Sequence, residues 1–428
     1  MERKIQNKLL EWKTSSHRVP LILQGARQVG KTYSVLDFGR SNFKNVVNLN
    51  FESSQDMHRI FERDLYPPRI LKELSIWSGE TIFENETLIF FDEIQTSNRA
   101  LTSLKYFAEE APGYAIIAAG SLLGVAINRQ DFSFPVGKVR METLYPLDFE
   151  EFLWAMGQNA SAEIIREGFM KNESTSLHET FLDHYRNYLM TGGMPGVVKE
   201  FLETGNMQIV SDIQRNLNDA YIADMAKYAG AAETVRIMAA YNSIPAQLAK
   251  ENHKFQYSVI KSGARASVYA PAIDWLKASG VVVVCNKVTK GVVPLKAYEE
   301  SESFKIYYSD TGLLFAKAGL SHRMFISGLA GDNFRGAIAE NYVASALTSA
   351  GHQPFYWESQ GKAEVDFLIQ KDENIIPLEV KSSDNVRSKS LKQYISLYHP
   401  KISYRISTRN FGFENNIKSV PLYAVFCI

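Results

Sequence analysis

Gly25-Ala26-Arg27-Gln28-Val29-Gly30-Lys31-Thr32, directly after the apolar run Val19-Pro20-Leu21-Ile22-Leu23-Gln24, is the stretch that decides the fold. The octet satisfies G-x-x-x-x-G-K-[ST] at every constrained position. The run before it reads as a short buried strand, and YSVLDFGR (33–40) continues as a helix behind the loop. Glycines let the loop curl until its backbone N–H groups face a phosphate, and the helix N-terminus behind it favours negative charge. In this pattern Lys31 reaches the β- and γ-phosphates and the Thr32 hydroxyl ligates Mg2+. Gly25, Ala26, Arg27, Gln28, Val29, Gly30, Lys31, Thr32 and Tyr33 are therefore the expected nucleotide-contacting residues, with ATP and Mg2+ as the expected cofactors.

Some 60 residues on, TLIFFDEIQ (87–95) is an apolar strand ending in Asp92 and Glu93. Beside a phosphate-binding loop, the first acid of such a pair holds Mg2+ and the second polarises the attacking water. YAIIAAGS (114–121) supplies a further strand, whose tip residue Ser121 is placed to sense the γ-phosphate. VVNLNFE (46–52) and VRMETLYPL (139–147) read as two more strands. PPRILKELSIWSG and ALTSLKYFAEEA read as helices between them, and this alternation predicts a parallel sheet with helices on both faces.

The chain has 428 residues, enough for roughly three domains. Lys+Arg and Asp+Glu both total 47, which excludes a highly charged nucleic-acid coat and a solvated acidic tail. The balance is uneven along the chain: −5 over 1–205, +4 over 206–330 and +1 over 331–428. Within 249–290 lie Lys250, Lys254, Lys261, Arg265, Lys277, Lys287 and Lys290 against two acids, either a solvated face or a phosphate-backbone contact. The two cysteines, Cys285 and Cys427, are too few for a disulfide framework or a Cys-rich zinc site. No apolar run approaches the roughly 18–20 residues of a membrane helix. A cytoplasmic location without membrane contact is the expectation.

After residue 149 the pattern turns helical, with TGGMPG (191–196) as a breaker. SVIKSGARASVYAPAIDWLKASG reads as a short helix, a turn near Ser262-Gly263 and a longer helix through Trp275. VVVVCNKV and LKAYEESESFKIYYSD follow as expected wing strands, and this order suggests contact with DNA. Such modules also serve purely as packing units.

The last hundred residues carry a second constellation. Glu340 lies on the predicted helix 334–351. AEVDFLIQ (363–370) and IIPLEVKSS (375–383) read as a hairpin that brings Asp366 near Glu379 and Lys381. Strand alternation puts Glu379 and Lys381 on one face. Glu340, Asp366 and Glu379 are the expected ligands of a second Mg2+ against a scissile phosphate, with Lys381 orienting the attacking water and Gln393 assisting. Charges inside apolar strands are costly without a purpose.

GARQVGKT, LIFFDEIQ, AAGSLLG, FPVGKVRMETLYPLDFEEFL and TGGMPGVV together resemble prokaryotic AAA-type ATP-binding proteins. These carry a C-terminal domain of unknown function whose end looks like a PD-(D/E)xK nuclease, and RGAIAENYVASAL, EVDFLI and LEVKSS match that end. The resemblance spans nearly the whole chain and implies ATP binding and hydrolysis by an AAA+-like domain. By the same analogy Asp92 and Glu93 are the Walker B acids, and Val365 stands where the nuclease motif has its eponymous proline. An arginine finger is also implied. Arg99, Arg129, Arg140 and the substitute Lys138 are candidates among which spacing does not choose.

The expected architecture is α/β throughout: an AAA+-like P-loop ATPase sheet (1–155), a helical lid or linker (156–230), a winged-helix-like domain (231–310) and a PD-(D/E)xK-like α/β domain (311–428). Expected partners are DNA and a second copy of the chain. Three functions compete: an ATPase that remodels or cleaves DNA, an ATP-dependent regulatory switch with an inert nuclease-like docking domain, and an ATP holder without turnover. The intact Glu93 argues against the last.

Overall fold

The apolar run before the glycine-rich loop forms strand β1 (Leu21–Gln24). It lies between β4 (Ala115–Gly120) and β5 (Arg140–Thr143), with β3 (Thr87–Asp92) and β2 (Asn45–Asn50) beyond β4. The sheet order is therefore β2-β3-β4-β1-β5, and each pairing is parallel. The structure, a computed structural model, describes residues 1–121, 134–250, 253–329, 331–359, 363–382 and 389–428. The chain divides into two compact units, one of Glu2–Tyr145 with Ala278–Gly280, the other of Met1, Pro146–Lys277 and Val281–Ile428.

In the first unit β3 and β4 are buried along their whole length, as central strands of a parallel sheet covered on both faces must be. One face packs Ile22, Val47, Leu49, Phe91 and Ile116 against Phe61, Ile70, Leu74 and Leu104 from the flanking helices. Phe51, Phe61 and Phe91 meet with ring centroids 5.5–5.6 Å apart. Parallel strands end on the same edge, and register puts Gln24 beside Gly120 and Asn50 beside Asp92 at the carboxyl edge. Loops at that edge are the usual ligand-binding position of such a sheet.

The second unit opens with six helices between Phe149 and Leu248. Asp148 and Glu151 form a capping box at the start of the first. The breaker after Thr191 has a packing reason. Gly192 sits at φ 73°, ψ −169°, a region open essentially to glycine. A Cβ on Gly193 would lie 1.9 Å from the Leu147 carbonyl oxygen. That tight passage lets the Gly193 N–H donate to Asp310 Oδ2 at 2.6 Å, while Asp310 Oδ1 accepts from Leu313 N–H at 2.9 Å.

Helices Ala231–Leu248, Tyr257–Ile260 and Ala266–Ala278 follow in the expected order, then β6 (Val282–Val288) and β7 (Glu299–Tyr308), paired antiparallel. These two strands are not a free-standing wing. They continue the sheet built from β8 (Phe355–Ser359), β9 (Ala363–Lys371), β10 (Asn374–Val380), β11 (Ser403–Ser407), β12 (Gly412–Glu414) and β13 (Ile417–Pro421). Its order is β12-β13-β11-β10-β9-β8-β6-β7. The reason lies in β6, which is apolar on both sides and largely buried, so it needs cover on both faces rather than exposure as a wing. The boundary expected at residue 310 thus falls within one sheet.

Candidate functional site

Gly25 and Gly30 take φ of 151° and 94°, and a Cβ at Gly25 would lie 2.2 Å from the Leu144 carbonyl oxygen. Only glycine permits the turn and the close approach. The loop opens the helix Lys31–Asn42. The Lys31 ammonium is folded back, donating to the carbonyls of Gly25 and Ala26 at 2.9 Å each. The Thr32 hydroxyl donates to Asp92 Oδ2 at 3.0 Å and lies 3.2 Å from Oδ1. An alcohol and a carboxylate at that spacing are the oxygen donors that Mg2+ takes beside nucleotide phosphates, so the residues fit the expected metal. Tyr33, also expected at the loop, is 58% exposed.

Asp92 is buried, and burial raises its pKa above the ordinary carboxylate value. The Thr32 hydrogen bond opposes this, and the Glu93 charge adds to it. Glu93 takes a left-handed backbone, φ 51° and ψ 40°. Its N–H donates to Asp92 Oδ1 at 3.1 Å, and its Oε2 accepts from Gln95 Nε2 at 2.6 Å. Ser121 is buried, one residue beyond Gly120 at the same edge. The structure brings the loop, the two acids and the Ser121 position to one edge.

Contacts of three side chains at this edge escaped the sequence reading. The Asn50 side chain approaches Asp92 Oδ2 at 3.5 Å, and the Gln24 side chain donates to Thr143 Oγ1 at 3.0 Å. The Arg3 guanidinium, 5% exposed, donates to the carbonyls of Val29 at 2.9 Å and Tyr145 at 2.6 Å. Polar residues at the ends of β1 and β2 were a readable signal, whereas Arg3 had none. The finger candidates are engaged locally: Arg99 with the Phe61 carbonyl, Arg140 with Glu142, and Lys138 with Glu109. Arg129 lies outside the described residues.

The C-terminal constellation assembles in part. Asp366 Oδ2 accepts from Val380 N–H at 2.7 Å, next to Glu379, and Lys381 lies 2.8 Å from Glu379 Oε1. Glu379 Oε2 is buried without a hydrogen-bond partner among the described residues. Burial, then the neighbouring Glu379 and Glu340 charges, hold Asp366 well above the usual carboxylate range, against Lys381 and Lys305.

Glu340 departs from its expected role. Its Oε2 accepts from Tyr307 at 3.1 Å, lies 2.9 Å from His253 Nδ1, and is 3.7 Å from Lys305 Nζ. Lys305 is 1% exposed and makes its shorter ion pair, 2.6 Å, with Glu364. Burial pushes the Glu340 carboxyl up, but Lys305 and His253 outweigh it and hold it at about 2. A buried ammonium thus serves this acid where a metal was expected. Among the described residues no group of three or more His, Cys, Asp or Glu is disposed to hold a metal ion. Gln393 turns to Ser359 Oγ at 3.3 Å rather than to the acids. Lys305 and Glu364 went unread, although the Glu364-x-Asp366 alternation was visible.

Of the basic residues between 249 and 290, Lys254 pairs with Glu358 and Lys287 with Glu300. Lys261 and Arg265 stand exposed around the turn at Gly263, and Lys277 is exposed on the helix that follows.

Residues 17–153 match the AAA domain family. Residues 182–323 match a domain of unknown function (DUF8612), and residues 335–425 another (DUF4143). No curated protein matches the chain. Among solved structures, the Walker-type ATPase PABY2304 of Pyrococcus abyssi is 16% identical, with 74% of this chain and 95% of that chain covered and a TM-score of 0.44. The Aeropyrum pernix ORC2 protein is 11% identical over 76% of this chain and 92% of that one, with a TM-score of 0.33. C. elegans PCH-2 is 12% identical over 47% and 61%, with a TM-score of 0.28. The chain thus carries an AAA domain at residues 17–153. Among the described residues no helix is long and apolar enough to cross a membrane.

Proposed function

We propose that this chain is an ATP-hydrolysing AAA-type protein that acts on DNA through its helix-turn-helix segment and nuclease-like C-terminal sheet. The observation that carries the ATPase part is the Thr32–Asp92 contact at 3.0 Å, with Glu93 next in the chain. Backbone N–H groups of residues 25–30 bind the phosphates, and Lys31 leaves the Gly25 and Ala26 carbonyls to pair with them. Mg2+, when bound, would supply neutralisation of phosphate charge. Thr32 and Asp92 hold it, Glu93 orients the attacking water, and Ser121 contacts the γ-phosphate. The DNA part is supported by the exposed Lys261 and Arg265 at the turn before the Ala266–Ala278 helix.

A second reading is favoured by Lys305. Its ammonium holds Glu340 and Glu364, which favours a nuclease-like domain that docks rather than cuts, making the protein an ATP-dependent switch. One preparation tests both. ATP turnover and DNA cleavage are measured with Mg2+ or Mn2+, on single- and double-stranded DNA, for wild type and Asp366→Ala. Metal-dependent cutting lost in Asp366→Ala selects the DNA-cleaving form. ATP turnover with no cutting selects the switch. Absence of ATP turnover in wild type overturns both.

A further inference from the structure

Ala278–Gly280 belong to the same compact unit as the glycine-rich loop, although the chain up to Lys277 and from Val281 belongs to the other. These three residues end the helix Ala266–Ala278 and lead toward β6. Ser279 is buried, and Gly280 turns the chain at φ 74°, a region that side chains disfavour. A Cβ on Gly280 would lie 3.3 Å from the Ala26 nitrogen and 3.9 Å from its Cα. The missing side chain at 280 is what lets the turn lie against the second residue of the loop.

The contact falls on a particular peptide group. The Gly25 carbonyl oxygen and the Ala26 nitrogen are two ends of one planar unit, which turns as a whole. Its oxygen accepts from the Lys31 ammonium at 2.9 Å, and its nitrogen lies against Gly280. Lys31 also holds the next carbonyl, that of Ala26, at 2.9 Å. When Lys31 turns to a phosphate, both oxygens lose their donor at once. The peptide plane is then free to rotate, and its nitrogen end carries the motion to the turn.

We infer that the Gly25–Ala26 peptide is a joint between the nucleotide and the helix Ala266–Ala278, with Gly280 as the positioning residue on the far side. ATP at the loop resets the turn, and the turn resets the last residues of the helix that ends there. Coupling of this kind is reciprocal, so a partner that engages the helix shifts ATP affinity by the same factor. The inference rests on the ATP-binding reading above and does not need the DNA reading.

The test uses the full chain and the non-hydrolysable analogue AMP-PNP with Mg2+. Amide hydrogen exchange of the wild type is followed by mass spectrometry with and without the analogue. Protection of residues 25–32 reports binding at the loop, and the expected result is that exchange of residues 272–280 changes with it. Calorimetry then compares Gly280→Ala with Gly319→Ala. Gly319 has nearly the same backbone, φ 69°, but an added Cβ there meets no atom within 4 Å among the described residues. Both substitutions therefore strain the backbone alike, and only the first presses on Ala26. Gly280→Ala is expected to bind AMP-PNP about fivefold or more weaker than Gly319→Ala, the lower end of ordinary coupling between sites, and to lose the exchange response at 272–280. Thermal unfolding checks that both variants fold, and if Gly280→Ala does not, the wild-type exchange decides alone. Protection at 25–32 with unchanged exchange at 272–280 overturns the inference and leaves the ATP reading standing. So does AMP-PNP binding by Gly280→Ala no weaker than by Gly319→Ala. No protection at 25–32 and no heat of binding overturn the ATP reading and the inference together.

Discussion

The Thr32 hydroxyl and the Asp92 carboxylate, 60 residues apart in sequence, meet at 3.0 Å across the carboxyl edge of the first sheet. The contact is possible because β3 ends at Asp92 where the helix Lys31–Asn42 begins. Removing the hydroxyl leaves Asp92 buried with one partner fewer, and a hydrogen bond to a charged group contributes about 1.5–3 kcal/mol. Thr32→Ala is expected to lower Mg2+-dependent ATP turnover about 10- to 100-fold, a Mg2+ titration at saturating ATP showing the shift. Thr32→Ser is expected to keep most of the activity.

Arg3 ties the chain start to the loop through the carbonyls of Val29 and Tyr145. Arg3→Ala is expected to destabilise the first unit by about 2–3 kcal/mol and to weaken ATP binding. Thermal unfolding and an ATP titration of the same variant read both effects, and an unchanged melting temperature would contradict the role.

Lys305 faces Glu340 and Glu364 from a fully buried position. Lys305→Met removes the buried cation shared by Glu340 and Glu364, and breaking a buried ion pair costs about 3–5 kcal/mol. Without Lys305, burial weighs more heavily on Glu340 and raises its carboxyl, so the folded variant takes up a proton there more readily than wild type does. Its deficit against wild type is expected to be largest at pH 7 and to shrink toward pH 5, as denaturant unfolding at the two pH values will show.

Asp310 gives a stability slope of known sign. Burial raises its carboxyl to about 6, although backbone N–H groups of Gly193 and Leu313 pull it down. Its unfolded value is about 3.9. Between these values the folded state holds the extra proton, so this group's contribution to stability falls as pH rises, by up to about 1.4 kcal/mol per pH unit. Asp310→Asn removes that slope. It is also expected to destabilise by about 1–3 kcal/mol, because a backbone N–H such as that of Gly193 or Leu313 loses its acceptor. The stability difference between wild type and variant should decline from pH 4 to pH 6 and then flatten.

The nucleotide edge was legible because its chemistry is local: Gly25 to Thr32 is one continuous loop, and Asp92-Glu93 ends one apolar run. The hairpin of β9 and β10 was legible for the same reason, since Asp366 and Glu379 sit at alternating positions of adjacent strands. What escaped depends on distant pairing. The membership of β6 and β7 in the C-terminal sheet follows from β6 lying parallel to β8, nearly 70 residues away. Lys305 faces Glu340 and Glu364 through that pairing, so the same omission hid the cation beside Glu340. Strands β11 to β13 are short, and the parallel pairings of β11 to β10 and to β13 leave little local pattern.

The central claim is hydrolysis by the edge that joins Lys31, Thr32, Asp92 and Glu93. Its most direct measurement compares ATP affinity and single-turnover hydrolysis of wild type and Glu93→Gln in Mg2+. Glu93→Gln is expected to bind ATP within a few-fold of wild type and to lose at least about 100-fold in turnover, the scale of a lost water-activating group. Hydrolysis by Glu93→Gln at the wild-type rate, or no hydrolysis by wild type, would contradict the account.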